Sequence, residues 1–412
     1  MRNFSLKDTI WRNPGHELDA IAQYVSDEKK KILLIGKAYE IDGFLKDNRA
    51  IPVYGAITED KWDRRDIKQL EMEELFRNGK EYICVCVARD RNEYDRIKGK
   101  VTRFDPEFTE NVNFFQGEVF QAVYYVYKRD EIRIDRIEIF LTPCCTLNCE
   151  KCIAFIPYFK DRKPTSLEML TQDADLLFSR VDYVFKLKLL GGEGFLYPHL
   201  VKYIDYLYDH YAEKIGEVRI GTNGTIFPDS DIKECCRRHD VIVDISDYTA
   251  AVPERCRLSE MISILKEEGI RYDVKRVGEQ WLDMGFPNHI PERRNAEELR
   301  SHFQKCAMFC REFYDGKFYF CCSNFAAVLT GLFPENENDY FDFRHDFNKK
   351  ELLEYELGYS KLGHTTFCKM CFGCSEEANS RHVEVARQMP PCKNETGEKK
   401  SGGGSENGGN RQ

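Results

Sequence analysis

Cys145, Cys149 and Cys152 form a Cys-x3-Cys-x2-Cys array in the stretch Thr142-Pro143-Cys144-Cys145-Thr146-Leu147-Asn148-Cys149-Glu150-Lys151-Cys152. The array follows directly on the apolar run Ile137-Glu138-Ile139-Phe140-Leu141. Three thiolates on one short loop can hold three irons of a [4Fe-4S] cluster and leave the fourth iron open. A fourth local cysteine would close the cluster and suit plain electron transfer, whereas an open iron can bind a substrate or cofactor. The rival readings are a zinc loop and a set of buried thiols. Zinc loops usually pair two Cys-x2-Cys halves, and buried thiols need no such spacing. The array is therefore read as a cluster site.

The chain has 412 residues, enough for two to four domains and a sizeable core. Its net charge of −9, with no basic block, argues against a nucleic-acid partner. No run approaches the length of a membrane span. Met1-Arg2-Asn3-Phe4-Ser5-Leu6-Lys7 lacks an apolar signal core, so a cytoplasmic location is expected. A cytoplasmic chain does not normally store cysteines as disulfides, so its 17 cysteines point to metal or redox chemistry. They are grouped at 144–152, 306–322 and 368–374, which scattered core thiols would not be. Cys84, Cys86, Cys235, Cys236, Cys256 and Cys392 stand apart and are read as structural. The histidines form no metal-spaced pair, which leaves histidine-based zinc catalysis without support.

An α/β class is expected from the order of patterns. Leu18, Ile21, Ala22 and Val25 suggest a helical lead-in. Strands are expected at 31–36, 51–57 and 82–88, with a polar helix over 64–78, giving a small parallel Rossmann-like unit over 1–132. The turn Gly36-Lys37-Ala38-Tyr39-Glu40-Ile41-Asp42-Gly43 lacks the later glycines of a dinucleotide fingerprint, so NAD binding is not expected there. Residues 113–140 read as a β-rich bridge.

From 137 to 277 one theme repeats: strands at 137–141, 183–190, 217–220, 241–245 and 271–277, with helices between them. Thr165-Ser166-Leu167-Glu168 has capping-box spacing at the first helix. Successive βα units place their strand ends on one face, where such folds carry their chemistry. Here four consecutive strand ends carry the cysteine array, Gly191-Gly192-Glu193, Thr222-Asn223-Gly224 and Ser246-Asp247-Tyr248. Turn chemistry alone explains any one of these, but not readily all four.

At these residues the sequence resembles the radical S-adenosylmethionine (SAM) superfamily over about 135–280. Cys145, Cys149 and Cys152 match its cluster motif, Gly191-Gly192-Glu193 its SAM-amino motif, and Thr222-Asn223-Gly224 a frequent strand-end motif. Two departures stand out: Lys151 where the family usually has an aromatic residue, and Gly194 where proline usually follows. The resemblance implies a partial (β/α)6 TIM-type barrel over 133–300. It also implies three irons on the cysteines and the fourth chelated by SAM. Gly191 and Gly192 would admit the cofactor, Glu193 would accept from its amino group, and Thr222, Asn223 and Ser246 would reach its ribose or carboxylate.

The late cysteines resemble the SPASM and twitch extensions of that superfamily. Cys306 precedes Gly316 and Cys321 at the expected spacing, Asp315-Gly316 is a hairpin signal, and Cys368-Lys369-Met370-Cys371-Phe372-Gly373-Cys374 adds a second group. The late group is shorter than a full SPASM set. The resemblance therefore implies one auxiliary [4Fe-4S] cluster over 301–392, held by Cys306, Cys321, Cys368 and Cys371, with Cys310, Cys322 and Cys374 as alternatives and structural zinc as the rival. Residues 393–412 are too polar and glycine-rich to fold. The expected activity is radical chemistry on a small molecule such as a sugar or sugar nucleotide (oxidation, dehydration or epimerisation), fed by a low-potential donor such as flavodoxin or ferredoxin. A peptide substrate and a non-enzymatic metal protein are the alternatives. No catalytic acid or base can be named; Asp247, Tyr248, Cys256 and Glu279 lie near the expected rim.

Overall fold

The computed structural model describes residues 22–23, 25–88, 91–104, 113–278, 280–306 and 310–389. Leu18, Ile21, Glu279, Cys392 and the tail 393–412 lie outside them, so the expectations placed there have no structural counterpart. Ala22 and Val25 are buried.

The first sheet holds β1 (Lys31–Ile35), β2 (Val53–Ile57), β3 (Lys68–Gln69), β4 (Tyr82–Cys86) and β5 (Phe114–Gln116). All are parallel, in the order β3-β2-β1-β4-β5. This is a doubly wound order, whose switch point falls between β1 and β4. Covering both faces explains the continuous apolar runs. Ile32 and Leu34 join one core, while Leu33 and Ile35 join another with Cys84 and Cys86.

Two expectations fail here. The helix expected over 64–78 spans only Met72–Asn78, because Lys68 and Gln69 pair with Gly55 and Ala56 as an exposed edge strand. Polar composition carries no sign of that pairing. The bridge expected to be β-rich over 113–140 is strand only at its two ends. After β5 the chain is helical from Gly117 to Arg129, since Val119, Phe120, Ala122 and Val123 cover the sheet. Their β-propensity yields to burial.

The second sheet begins with β6 (Arg133–Thr142), β7 (Tyr183–Gly191), β8 (Ile215–Thr222), β9 (Ile242–Asp247) and β10 (Tyr272–Arg276), each parallel to the next. Helices Leu167–Arg180, Leu200–Tyr211, Ser230–His239 and Leu258–Glu267 follow the first four. Ile137, Ile139, Leu187, Leu189, Val218, Ile220, Val243 and Ile245 face them, packed with Leu170, Leu177, Ile204 and Leu207. Strand alternation puts Glu138, Lys188, Arg219 and Asp244 on the other face. There Lys188 and Arg219 reach Asp244 at 2.9 and 2.5 Å.

β11 (Gln280–Leu282) leaves this sheet to pair elsewhere. The sixth parallel position is filled at the opposite edge: β12 (Glu312–Tyr314) lies beside β6 through Glu312 and Glu138. β12 turns back into β13 (Lys317–Tyr319), then β14 (Tyr340–Asp342). The run of six βα strands expected from sequence is thus five, with a sixth supplied from the late region. β15 (His382–Glu384) pairs with β11, antiparallel.

The helix cap also shifts by one residue. Ser166, not Thr165, accepts from Met169 N (3.2 Å), and Thr165 donates its hydroxyl to Phe140 O, so no capping box forms. The Asp315-Gly316 hairpin forms as read, with both residues at positive φ. Buried Asp173 receives both turn amides, Asp315 N and Gly316 N, at 2.8 Å each. Asp173→Ala would leave two donors unpaired. It is expected to cost about 1–3 kcal/mol in urea unfolding, and Asp173→Asn distinctly less.

Candidate metal and cofactor site

The cysteine loop leaves the carboxyl end of β6 and packs against the end of β7. Gly192 N donates to Thr142 O (2.7 Å) and Glu193 N to Cys144 O (2.8 Å). A Cβ on Gly191, whose φ is +152°, would lie 2.3 Å from Thr142 O; one on Gly192 would lie 2.2 Å from Cys144 O. The glycines are therefore required by the loop's own backbone, a nearer cause than access for a cofactor. Gly194 has a similar reason. Its Cβ would lie 2.6 Å from Gly221 O, so a proline would not fit.

The three thiols sit in a cradle of donors. Cys145 Sγ accepts from Leu147 N (3.4 Å) and Asn223 Nδ2 (3.5 Å). Cys149 Sγ accepts from Gln388 Nε2 (3.4 Å). Amides of Ala154, Phe155 and Ile156 turn toward Cys152. Burial pushes the Cys145 and Cys149 thiols up to about 12 and about 11. Bound iron would supply the positive charge that favours their ionised form. Cys144 takes no part, since its thiol donates to Arg162 O at 3.1 Å.

Glu193 is fully buried, and its carboxyl is pushed up to about 7 by that burial. Both oxygens are already engaged, Oε1 by Phe195 N (3.1 Å) and Oε2 by Asn223 N (2.8 Å). Its place is that of a tie between the ends of β7 and β8, a role that the motif by itself does not reveal. Asn223 is likewise turned to the cysteine loop, donating to Thr146 Oγ1 (3.0 Å), and Thr222 Oγ1 accepts from Gly224 N. Ser246, at the end of β9, stands beside the hydroxyl of half-buried Tyr248, which lies near all three cysteines. Cys256 is a core thiol near Asn223 O, and Asp247 accepts from Thr249 N in a turn.

Lys151 reaches away from this cradle to Asp283, at 3.0 Å, with both side chains nearly buried. The loop has a second clamp that the sequence did not reveal. Arg387 O accepts from Glu150 N, Arg387 pairs with Glu150, and Met389 N donates to Asn148 O. Gln388 Oε1 accepts from Asn148 N (2.8 Å), while Nε2 reaches Ala386 O and Cys149 Sγ. Because Asn148 N can only donate, the amide orientation is fixed with its nitrogen toward the sulfur. Ala386, at φ +50°, makes the turn that delivers Gln388. No motif spacing links residue 388 to residue 149.

A second cavity is lined by Cys306, Cys321, Cys368, Cys371 and Cys374, with His302 and Phe367. Burial pushes the Cys368 thiol up to about 12 and holds His302 down at about 4, so this imidazole is neutral at pH 7. Cys310 and Cys322 are not part of this lining; they meet each other beside Glu138. Phe155, Phe286 and Phe367 run between the two cysteine sites with ring spacings of 5.4 and 5.0 Å. A further grouping escaped the sequence reading: Asp205, Cys235 and His239 place their ligand atoms within 4.8 Å of one another. Asp205 there also pairs with Arg238. Among the described residues no helix is long and apolar enough to cross a membrane.

No protein-family model matches the chain, and no curated protein matches it. Several solved structures do. Native anSMEcpe with bound AdoMet matches at 11% identity and a TM-score of 0.37, covering 60% of this chain and 92% of that one. BtrN in complex with AdoMet and 2-DOIA matches at 16% identity and a TM-score of 0.39, covering 61% and 100%. Streptococcus suis SuiB bound to S-adenosylmethionine matches at 14% identity and 0.28, covering 37% and 35%. Scores this low leave the chemistry to be read from the chain's own residues.

Proposed function

We propose that this chain is a radical SAM enzyme whose first cluster sits on Cys145, Cys149 and Cys152 and whose auxiliary cluster sits on Cys306, Cys321, Cys368 and Cys371. The observation that carries the reading is the three-thiol loop seated on Gly191-Gly192 at the carboxyl end of a parallel sheet. With SAM bound, an open-iron cluster on these three thiols would supply one-electron reductive cleavage at the sulfonium. The protein's share is to hold, orient and exclude water. Glu193 and Asn223 lock the ends of β7 and β8 against the cysteine loop. Lys151–Asp283 and the 386–389 segment close it from the other side. Lys188, Arg219 and Asp244 give the inner sheet face the polarity that suits a hydrophilic small molecule, such as a sugar or sugar nucleotide. A low-potential flavodoxin or ferredoxin would supply the electron.

Structural zinc on the late thiolates is the rival to iron, and metal content separates the two. Anaerobically reconstituted protein is expected to hold about eight irons, two clusters of four. About four irons with one zinc would overturn the auxiliary assignment, and about twelve would add a third cluster.

Gln388 gives a finer prediction. Hydrogen bonds to cluster sulfurs raise the reduction potential, so Gln388→Leu is expected to lower the first cluster's midpoint with iron content unchanged. The expected size is about tenfold in the one-electron equilibrium, roughly 59 mV. Spectroelectrochemistry on the cluster's EPR signal reads it, and an unmoved midpoint would reduce Gln388 to a mere clamp.

A further inference from the structure

We propose that the crevice at the carboxyl ends of the first sheet binds a small organic cation presenting a primary ammonium. It lies beside the switch point, walled by Glu40, Asp47 and Asn48 after β1, by Gln116 and Glu118 after β5, and by Asp135 at the start of β6. A doubly wound sheet places its ligand at this position. What matters is the chemistry of the wall.

Two buried acceptors there have no partner. Asn48 is 2% exposed; its Nδ2 donates to Phe44 O at 3.0 Å, which fixes the amide and leaves Oδ1 unmatched. Gln116 is 7% exposed, and its Oε1 is also unmatched. Neither can be satisfied by a phosphate or carboxylate, since both are acceptors. The charges agree. Three carboxylates, Glu40, Asp47 and Asp135, line the crevice against one ammonium, Lys186, which stands 3.7 Å from Asp135, while burial pushes the Glu118 carboxyl up to about 8 and leaves it largely protonated at pH 7. Arg136 and Arg311 lie close enough to act on Glu118 as well.

A nucleotide would bring its phosphates into this negative field, so the missing dinucleotide fingerprint and the acidic wall have one meaning. One water could pair with a single orphaned oxygen but would leave the carboxylate excess in place. A single divalent ion fits less well, because the crevice carboxylates are not drawn together as Asp205, Cys235 and His239 are. Spread acceptors suit a cation that carries several N–H donors.

The test is isothermal titration calorimetry on the full chain with 1,4-diaminobutane, near physiological ionic strength to screen diffuse attraction. AMP is the phosphate-bearing comparator. One saturable site for the diamine is expected, with no AMP binding. Affinity should fall about tenfold in Gln116→Met, which removes the orphaned acceptor at similar length. It should also fall about tenfold in Asp47→Asn, an exposed rim change that leaves the fold intact. AMP binding with a silent diamine would overturn the proposal. So would unsaturable heats, or wild-type affinity in both variants. The outcome does not depend on either cluster.

Discussion

Cys149→Ala is expected to leave no 5′-deoxyadenosine above background when the reconstituted, dithionite-reduced protein is given SAM. Three thiols of the loop face the cradle, while the fourth local cysteine, Cys144, is turned to Arg162 O, so losing Cys149 removes a third of the protein's hold on the iron. It also strands two half-buried thiols whose ionised forms need that iron. Cys144→Ala is the matched control. Its thiol donates to a carbonyl outside the cradle, so that variant should keep its iron and its activity. Retained SAM cleavage in Cys149→Ala would refute the proposed function outright, and iron analysis of the same sample would show whether the first cluster had formed.

The second large effect is expected from a single methyl group. In Gly192→Ala the new Cβ would start 2.2 Å from Cys144 O and 2.9 Å from Cys145 Cβ, both on the cluster loop. Restoring ordinary carbon–oxygen contact near 3.3 Å requires the loop to retreat by about 1 Å. Misplacement of that size costs on the order of 100-fold in rate, so SAM cleavage should fall by about that factor, with iron dropping toward one cluster. Gly99→Ala provides the contrast. Nothing lies within 4 Å of that helical position, so activity should be unchanged and stability slightly raised. Full activity in Gly192→Ala would mean that the loop is not held against β7 as described.

Much of this site was legible because its parts are local. Cys145, Cys149 and Cys152 are close in sequence, and strand-end motifs announce themselves by glycine and polar residues after an apolar run. What could not be read is what those residues touch. The sequence makes Glu193 an acceptor for a ligand, and packing also sets a backbone amide on each of its oxygens. It presents Lys151 as a departure from an aromatic pattern, and folding gives it Asp283, 132 positions later in the chain. Among the late cysteines, spacing left Cys310, Cys322 and Cys374 equal. The fold brings Cys374 to the second cavity and pairs Cys310 with Cys322 outside it.

Alternation, glycine placement and cysteine spacing are short-range properties, and they determined the parallel α/β class, the shared rim and the three-thiol array. Long-range pairing decided the rest: Lys68–Gln69 as an edge strand, Gly117–Arg129 as helix, β12 as the neighbour of β6, and Gln388 as the donor to Cys149. The physical reason is the same in each case. A backbone amide or a buried side chain takes whichever partner the assembled core leaves within reach, and that partner is set by packing between segments distant in the chain. The three-thiol array needs only its own loop to be recognised, but its hold on a cluster depends on the end of β7 and on residues 386–389.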